Sequence, residues 1–162
     1  MPQGGGEIRK LAPMPNPKAR AAVLMASPED AEQQFYEALR EGDLDRLMDT
    51  WADDEEIVCV HPGGARIVGH AAVRAAFEAL FTNGHVGVHP ERVHRLHSMD
   101  SAVHSVLERV EVVTAEGTHG GWIVATNVYH KTALGWRMVA HHASPGAAEE
   151  VQELGETPAV LH

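Results

Sequence analysis

Ala31, Phe35, Ala38 and Leu39 recur at the spacing of one helical face. The residues before them read as a helix start: Ser27 offers a capping hydroxyl, Pro28 suits the first helical position, and Glu29 and Asp30 face the positive end of the helix dipole. Gly42 supplies the stop. Asp43 caps a second, shorter helix whose stripe is Leu44, Leu47, Met48 and Trp51, ending near Asp53 and Asp54. Residues 56–61 are apolar and β-branched with little alternation, which predicts a strand buried on both sides. A turn at Pro62-Gly63-Gly64 and a short extended piece at 66–68 follow. After Gly69, Ala72, Val73, Ala76, Phe77, Leu80 and Phe81 mark a third amphipathic helix, stopped by Asn83-Gly84. The remainder reads as strand: 85–97, interrupted or edged by Pro90, then 103–114, 121–131 and 136–144, with turn signals at 115–117 and 132–135.

Helices followed by a meander of long antiparallel strands indicate an α+β fold rather than a doubly wound one. Three glycines and four of the nine prolines fall within residues 1–26, and residues from 149 on carry four glutamates and no base. The expected organisation is therefore a tail at 1–26, one domain at 27–148 and a flexible acidic tail at 149–162.

With 13 Lys and Arg against 23 Asp and Glu, the formal charge is −10, which argues against a nucleic-acid binder. Most of that excess lies between Glu29 and Glu56, the pattern of a solvated helix face. No apolar run reaches the ~20 residues of a membrane helix. Cys59 is the single cysteine, so no internal disulfide or Cys-based zinc motif can form, and a reducing, cytoplasmic setting is expected.

Histidine is over-represented, with twelve residues. His85 and His89 are four apart, but Gly87 and Pro90 oppose a helix there. His94 and His97 fall on opposite faces of a strand, as do His141 and His142. Scattered surface histidines are the expectation, with no metal site and no cofactor.

The segment from Trp51 to Gly64, with Gly69 and the helix after it, resembles the NTF2-like superfamily, in its SnoaL-like and ketosteroid-isomerase-like branch. Residues 35–44 (FYEALREGDL) are similar to that family's first helix and its Gly-Asp-Leu corner, and 126–129 (TNVY) and 135–144 (GWRMVAHHAS) to its last two strands. The resemblance covers about 27–144. It implies a cone-shaped, cystatin-like fold: three N-terminal helices packed on a strongly curved antiparallel sheet, around an apolar cavity. It also implies a homodimer through the outer sheet face, where Trp122, Val124 and Val128 would lie.

In the isomerase pattern a general-base aspartate precedes a proline at the end of the first strand; here that place holds His61, before Pro62. The oxyanion-binding tyrosine of the first helix falls on Phe35, with Tyr36 one step off, and the second oxyanion donor, a protonated aspartate, matches Asn127. The acid and base logic of ketosteroid isomerase is itself a standard worked case. A histidine can accept a proton near neutral pH, so His61 could stand in as base, and the Asn127 amide could donate to an oxyanion. A missing tyrosine donor would cost ~100- to 1,000-fold in rate. The bland alternatives are that His61 is a core histidine at a tight turn and that Asn127 satisfies a neighbouring loop.

Strand parity places Ile123, Ala125 and Tyr129 on the face of Asn127. The resemblance puts Met138, Ala140, His142 and Ser144 inside on the last strand, and Val106, Glu108, Val110 and Val112 inside on the 103–114 strand. Glu108 is then a lone acid in an apolar wall, its pKa raised, or a partner that orients a histidine. Phe35, Trp51 and Phe77 are core, with cavity lining as a second role. The expected function is binding of a small apolar or carbonyl-containing molecule, with proton transfer, isomerisation or dehydration by His61 and Asn127 and with Phe35, Trp51, Phe77, Glu108, Tyr129 and His142 around the substrate. The alternative is a non-catalytic ligand-binding or dimerisation module. Neither nucleic acid nor membrane is an expected partner.

Overall fold

The computed structural model describes residues 25–84 and 86–147; the expected tail at 149–162, and all but Met25 and Ala26 of the one at 1–26, lie outside them. Helix α1 (Pro28–Glu41) begins where the Ser27 side chain accepts from the Asp30 N–H at 3.1 Å. It ends at Gly42, whose φ of +66° lets its N–H turn back onto the carbonyls of Ala38 and Leu39. Gly42→Ala is expected to lower stability by about 1 kcal/mol, read from the midpoint of urea unfolding, because a Cβ is strained in that left-handed conformation. Helix α2 (Leu44–Asp49) is capped by Asp43, and α3 (His70–Thr82) follows Gly69.

The strands are β1 (Val58–Val60), β2 (Ile67–Val68), β3 (Val86–His97), β4 (Ser101–Thr114), β5 (Gly117–Thr132) and β6 (Gly135–Pro145). They form one curved, unclosed sheet in the order β2-β1-β6-β5-β4-β3. All pairs are antiparallel except β1 with β6, which run parallel. That parallel pair puts β1 inside the sheet, yet only Cys59 is fully buried there, with Val58 and Val60 half-buried, so the strand is covered on one side rather than two. Pro90 is tolerated because β3 is an edge strand, and just beyond it a bulge between Glu91 and His94 contains Arg92 at φ +43°.

The core fills the concave side of the sheet. Phe35 meets Tyr36, Trp51 and Phe77 at ring-centroid distances of 5.0, 6.4 and 6.1 Å, all edge-on. From the sheet, Ala102, Val106, Ala125, Tyr129 and Met138 close against these rings. Met25, read from sequence as part of the tail, belongs to this core: it is 3% exposed, and its carbonyl accepts from the Trp136 N–H at 2.8 Å.

Candidate functional site

Helix α1 turns about 100° per residue, so Phe35 and Tyr36 leave it toward different walls. Phe35 enters the aromatic core, while Tyr36 reaches β4 and β5. Its hydroxyl donates to Glu108 Oε2 at 2.6 Å and accepts from Asn127 Nδ2 at 2.9 Å. The Asn127 amide oxygen accepts from His141 Nδ1 at 2.5 Å. Four elements thus contribute one side chain each to a buried polar chain, His141–Asn127–Tyr36–Glu108. A parallel cluster lies one helical turn away. There Glu32 Oε2 accepts from the Tyr129 hydroxyl at 3.0 Å and from His104 Nδ1 at 2.7 Å.

Burial sets the proton affinities of this chain. Loss of solvent pushes the Glu108 carboxyl up to about 7; the Tyr36 hydrogen bond opposes the rise and the nearby Glu32 charge adds to it. The Tyr36 hydroxyl is held well above its ordinary value, first by burial and then by the Glu108 charge. His141 falls to about 3 by burial, with the charges of His61 and His142 as lesser causes, so it is neutral with its proton on Nδ1. Cys59 rises to about 12 by burial, which makes the lone thiol a poor nucleophile.

A cleft of about 490 Å³ opens between α1 and β3 and gives access to this region. Glu32 and Tyr36 line it from the helix, and His89, Pro90, Val93 and Arg95 line it from the strand. A second cleft, of about 500 Å³, lies between Met48, Trp51, Leu134 and Arg137. Among the described residues, Trp51 Nε1 is the one buried side-chain polar atom with no hydrogen-bond partner.

The residues singled out from sequence fall into three groups. Asn127, Tyr129 and Glu108 face the interior and are 0%, 0% and 4% exposed. Phe35, Trp51 and Phe77 form the aromatic core beside them. His61 sits after β1, edge-on to Phe77 at 5.1 Å with Nε2 3.9 Å from Cys59 Sγ, and burial lowers its pKa. No hydrogen bond joins His61 to Asn127; Phe77 and Phe35 stand between His61 and Tyr36 in the succession of ring contacts, and His141 is the residue that both bonds Asn127 and feels the His61 charge.

His142 needs correction. The register of β6 passes from Met138 opposite Tyr129 to Ala140 opposite Val128, which leaves Val139 as an extra, bulged residue. Alternation is reset there. Met138 faces inward, but beyond the bulge it is His141 and Ala143 that are buried, while His142 and Ser144 are exposed.

Tyr36, His141, Glu32 and His104 carry polar groups that sequence reasoning passed over. A signal for three of them was present: Glu32 and Tyr36 are one helical turn apart, and His104 shares the strand parity of Val106 and Glu108. His97 and Glu29, which approach His104, come together only through the tertiary fold.

Helices laid into a curved sheet, with a polar chain buried against an open cleft, define a small α+β pocket domain. The family model for the SnoaL-like domain matches residues 29–148, and the chain belongs to that family, within the NTF2-like superfamily. Among solved structures, a candidate calcium/calmodulin-dependent protein kinase type II association domain from Thiobacillus denitrificans is 37% identical, with TM-score 0.69, covering 76% of this chain and 98% of that one. A candidate dehydratase of the NTF2-like family from Streptomyces avermitilis is 30% identical, with TM-score 0.67 and coverage of 73% and 92%. An NTF2-like superfamily protein from Salmonella enterica serovar Typhimurium, at 14% identity, TM-score 0.67 and coverage of 80% and 93%, shares the fold. A comparison with curated proteins finds no match. Among the described residues, no helix is long and apolar enough to cross a membrane.

Proposed function

We propose that this domain binds a small carbonyl-containing molecule in the cleft between α1 and β3 and moves a proton on it, with Glu108 as the acid/base group and Tyr36 as the hydrogen-bond donor to the developing oxyanion. The observation that carries the reading is the 2.6 Å Tyr36–Glu108 hydrogen bond in the buried polar chain beside the cleft. A carboxyl poised near neutrality exchanges protons readily in both directions. Asn127 orients the Tyr36 oxygen through its Nδ2, and His141 holds the amide in turn. In this reading Tyr36 donates to the oxyanion once Glu108 has taken up the substrate's proton and itself donates to the tyrosine oxygen, while Asn127 is a positioning residue rather than the oxyanion donor, because both ends of its amide stay engaged. Solvent-deuterium exchange into a panel of small ketones, followed by proton NMR, tests it. Glu108→Gln is expected to slow exchange by ~100-fold or more. His61→Ala decides between the two candidate bases: surviving exchange supports Glu108, and lost exchange returns the role to His61. No exchange into any ketone would overturn the reading.

A second reading, a homodimeric association module, is favoured by the convex face of the sheet. Val103 pairs with Val128 and Leu107 with Val124 across β4 and β5, and Trp122 extends the apolar patch. The Thiobacillus relative is itself described as an association domain. Sedimentation equilibrium is expected to give a dimer that Val124→Lys converts to monomer; a monomeric parent chain would exclude this assembly.

A further inference from the structure

At the turn end of the β3–β4 hairpin, two imidazoles and a carboxylate converge. His97 pairs with the residue after Ser101, Ala102, and so lies diagonal to His104 on the concave face, while Glu29 projects from the first turn of α1. The two Nε2 atoms of His97 and His104 are 3.0 Å apart. Glu29 Oε1 is 3.1 Å from His97 Nε2 and 3.9 Å from His104 Nε2. The rings stack at 22° with centroids 5.2 Å apart.

We infer that Glu29, His97 and His104 form a binding site for a divalent transition-metal ion of the zinc class. Zinc–nitrogen and zinc–oxygen bonds of ~2.0–2.1 Å at tetrahedral angles place neighbouring ligand atoms ~3.3 Å apart, a value the three observed separations straddle. Ligand electron pairs tell the same story. Glu32 accepts from His104 Nδ1 at 2.7 Å, which fixes the proton on that nitrogen and leaves Nε2 as a lone pair. Three lone pairs, on His104, His97 and Glu29, then point at one another with a single proton, that of the His97 ring, to share among them. A cation satisfies all three. The carboxylate–imidazole–metal arrangement also has its outer support complete, since Tyr129 holds the same Glu32 oxygen at 3.0 Å.

Access and chemistry are consistent with that ion. His104 is fully buried, but His97 and Glu29 are 40% and 42% exposed at their side chains, leaving a path from solvent and room for water as a fourth ligand. Two imidazoles with one carboxylate suit zinc, cobalt or nickel and not calcium or magnesium, which take oxygen ligands. Among the described residues, Arg95 is the cation paired with this carboxylate, with Nε 3.7 Å from Glu29 Oε1 and a side chain 45% exposed, able to turn toward water when a metal takes the carboxylate. The site stands independently of the proton-transfer reading.

Isothermal titration of the metal-stripped full chain with Zn²⁺ tests the inference, with Co²⁺ visible absorption as a readout of coordination. One saturable site per chain and a tetrahedral Co²⁺ spectrum are expected. His97→Gln and Glu29→Gln, both at exposed positions, should each weaken binding at least as much as loss of an outer-shell partner, ~10- to 100-fold, with unchanged circular dichroism. Glu32→Gln should weaken it within that same range, and Arg95→Gln should leave it intact or tighten it. Absence of a saturable site, or equal affinity after His97→Gln and Glu29→Gln, would show that the cluster holds only a shared proton and that any bound metal sits on other histidines.

Discussion

Asn127→Leu should unfold at markedly lower urea, with a stability loss of about 3 kcal/mol. Leucine keeps the branched shape and the four side-chain heavy atoms of asparagine, so no cavity opens; its bulkier methyls add an overpacking cost to the loss of the amide. Its carbonyl is the acceptor for His141 Nδ1 and its NH₂ the donor to Tyr36, both fully buried. Removing it strands an imidazole N–H in a dry interior, at a cost of ~1–3 kcal/mol, and withdraws one partner from the tyrosine oxygen. Tyr36→Phe should cost less on its own, because Glu108 can then take up a proton. Measured together, the two substitutions should be non-additive by ~1 kcal/mol or more, since they share one hydrogen bond. Strict additivity, or a loss under 1 kcal/mol for Asn127→Leu, would mean that this chain does not hold the interior.

The second large effect is in pH dependence. The Glu108 carboxyl is raised in the folded state from 4.5 to about 7. The folded chain therefore holds a proton that the unfolded chain has released, and stability falls as pH rises from 4.5 to about 7. At ~1.4 kcal/mol per pH unit the fall amounts to about 3 kcal/mol. His141 works in the opposite sense. It is lowered from 6.5 to about 3, so the unfolded chain binds the extra proton and stability falls as pH drops from 6.5 to about 3. Between about 4.5 and 6.5 the two slopes are equal and opposite, and the parent protein should show a plateau from this pair. Glu108→Gln uncovers the histidine slope. Its stability should rise across that interval while the parent's stays flat, and the gap should move by about 3 kcal/mol in the variant's favour between pH 4.5 and 8. Urea titrations at five or six pH values measure this directly; parallel curves for the two proteins would refute the buried-acid assignment.

Most of the architecture could be read from local chemistry. Ser27, Asp43, Gly42 and Gly69 mark helix boundaries by capping and backbone freedom, and these signals act over four residues or fewer. Two-residue alternation grouped Glu108 with Val106 and Asn127 with Tyr129, and the family resemblance turned those faces inward, where the structure has them buried. The site was less legible where a single-residue offset decided the outcome. Phe35 and Tyr36 are both buried, and only their different directions from the helix reveal that the family's tyrosine place is filled by an aromatic core residue while the Tyr36 hydroxyl reaches Glu108. His141 and His142 are chemically identical in sequence, and the bulge at Val139 that chooses between them carries no glycine or proline to announce it. The cluster of Glu29, His97 and His104 depends on how α1 meets the tip of a hairpin some seventy positions later, a relation no local pattern encodes.

That unannounced bulge bears on how the interior can diversify. Deleting Val139 would remove the bulge and leave His141 opposite Asn127, whereas straightening β6 with every residue kept would carry Ala140 to that place and His142 to the position opposite Ala125. Because β6 lies between β5 and β1 in the sheet, such a shift of faces would also have to be met by β1, whose Val58, Cys59 and Val60 pair with Ala140, His141 and His142. Register, rather than identity, is therefore a lever on which histidine faces the interior, and variants that lose the bulge without losing a residue should reach interiors that a change at His141 alone cannot.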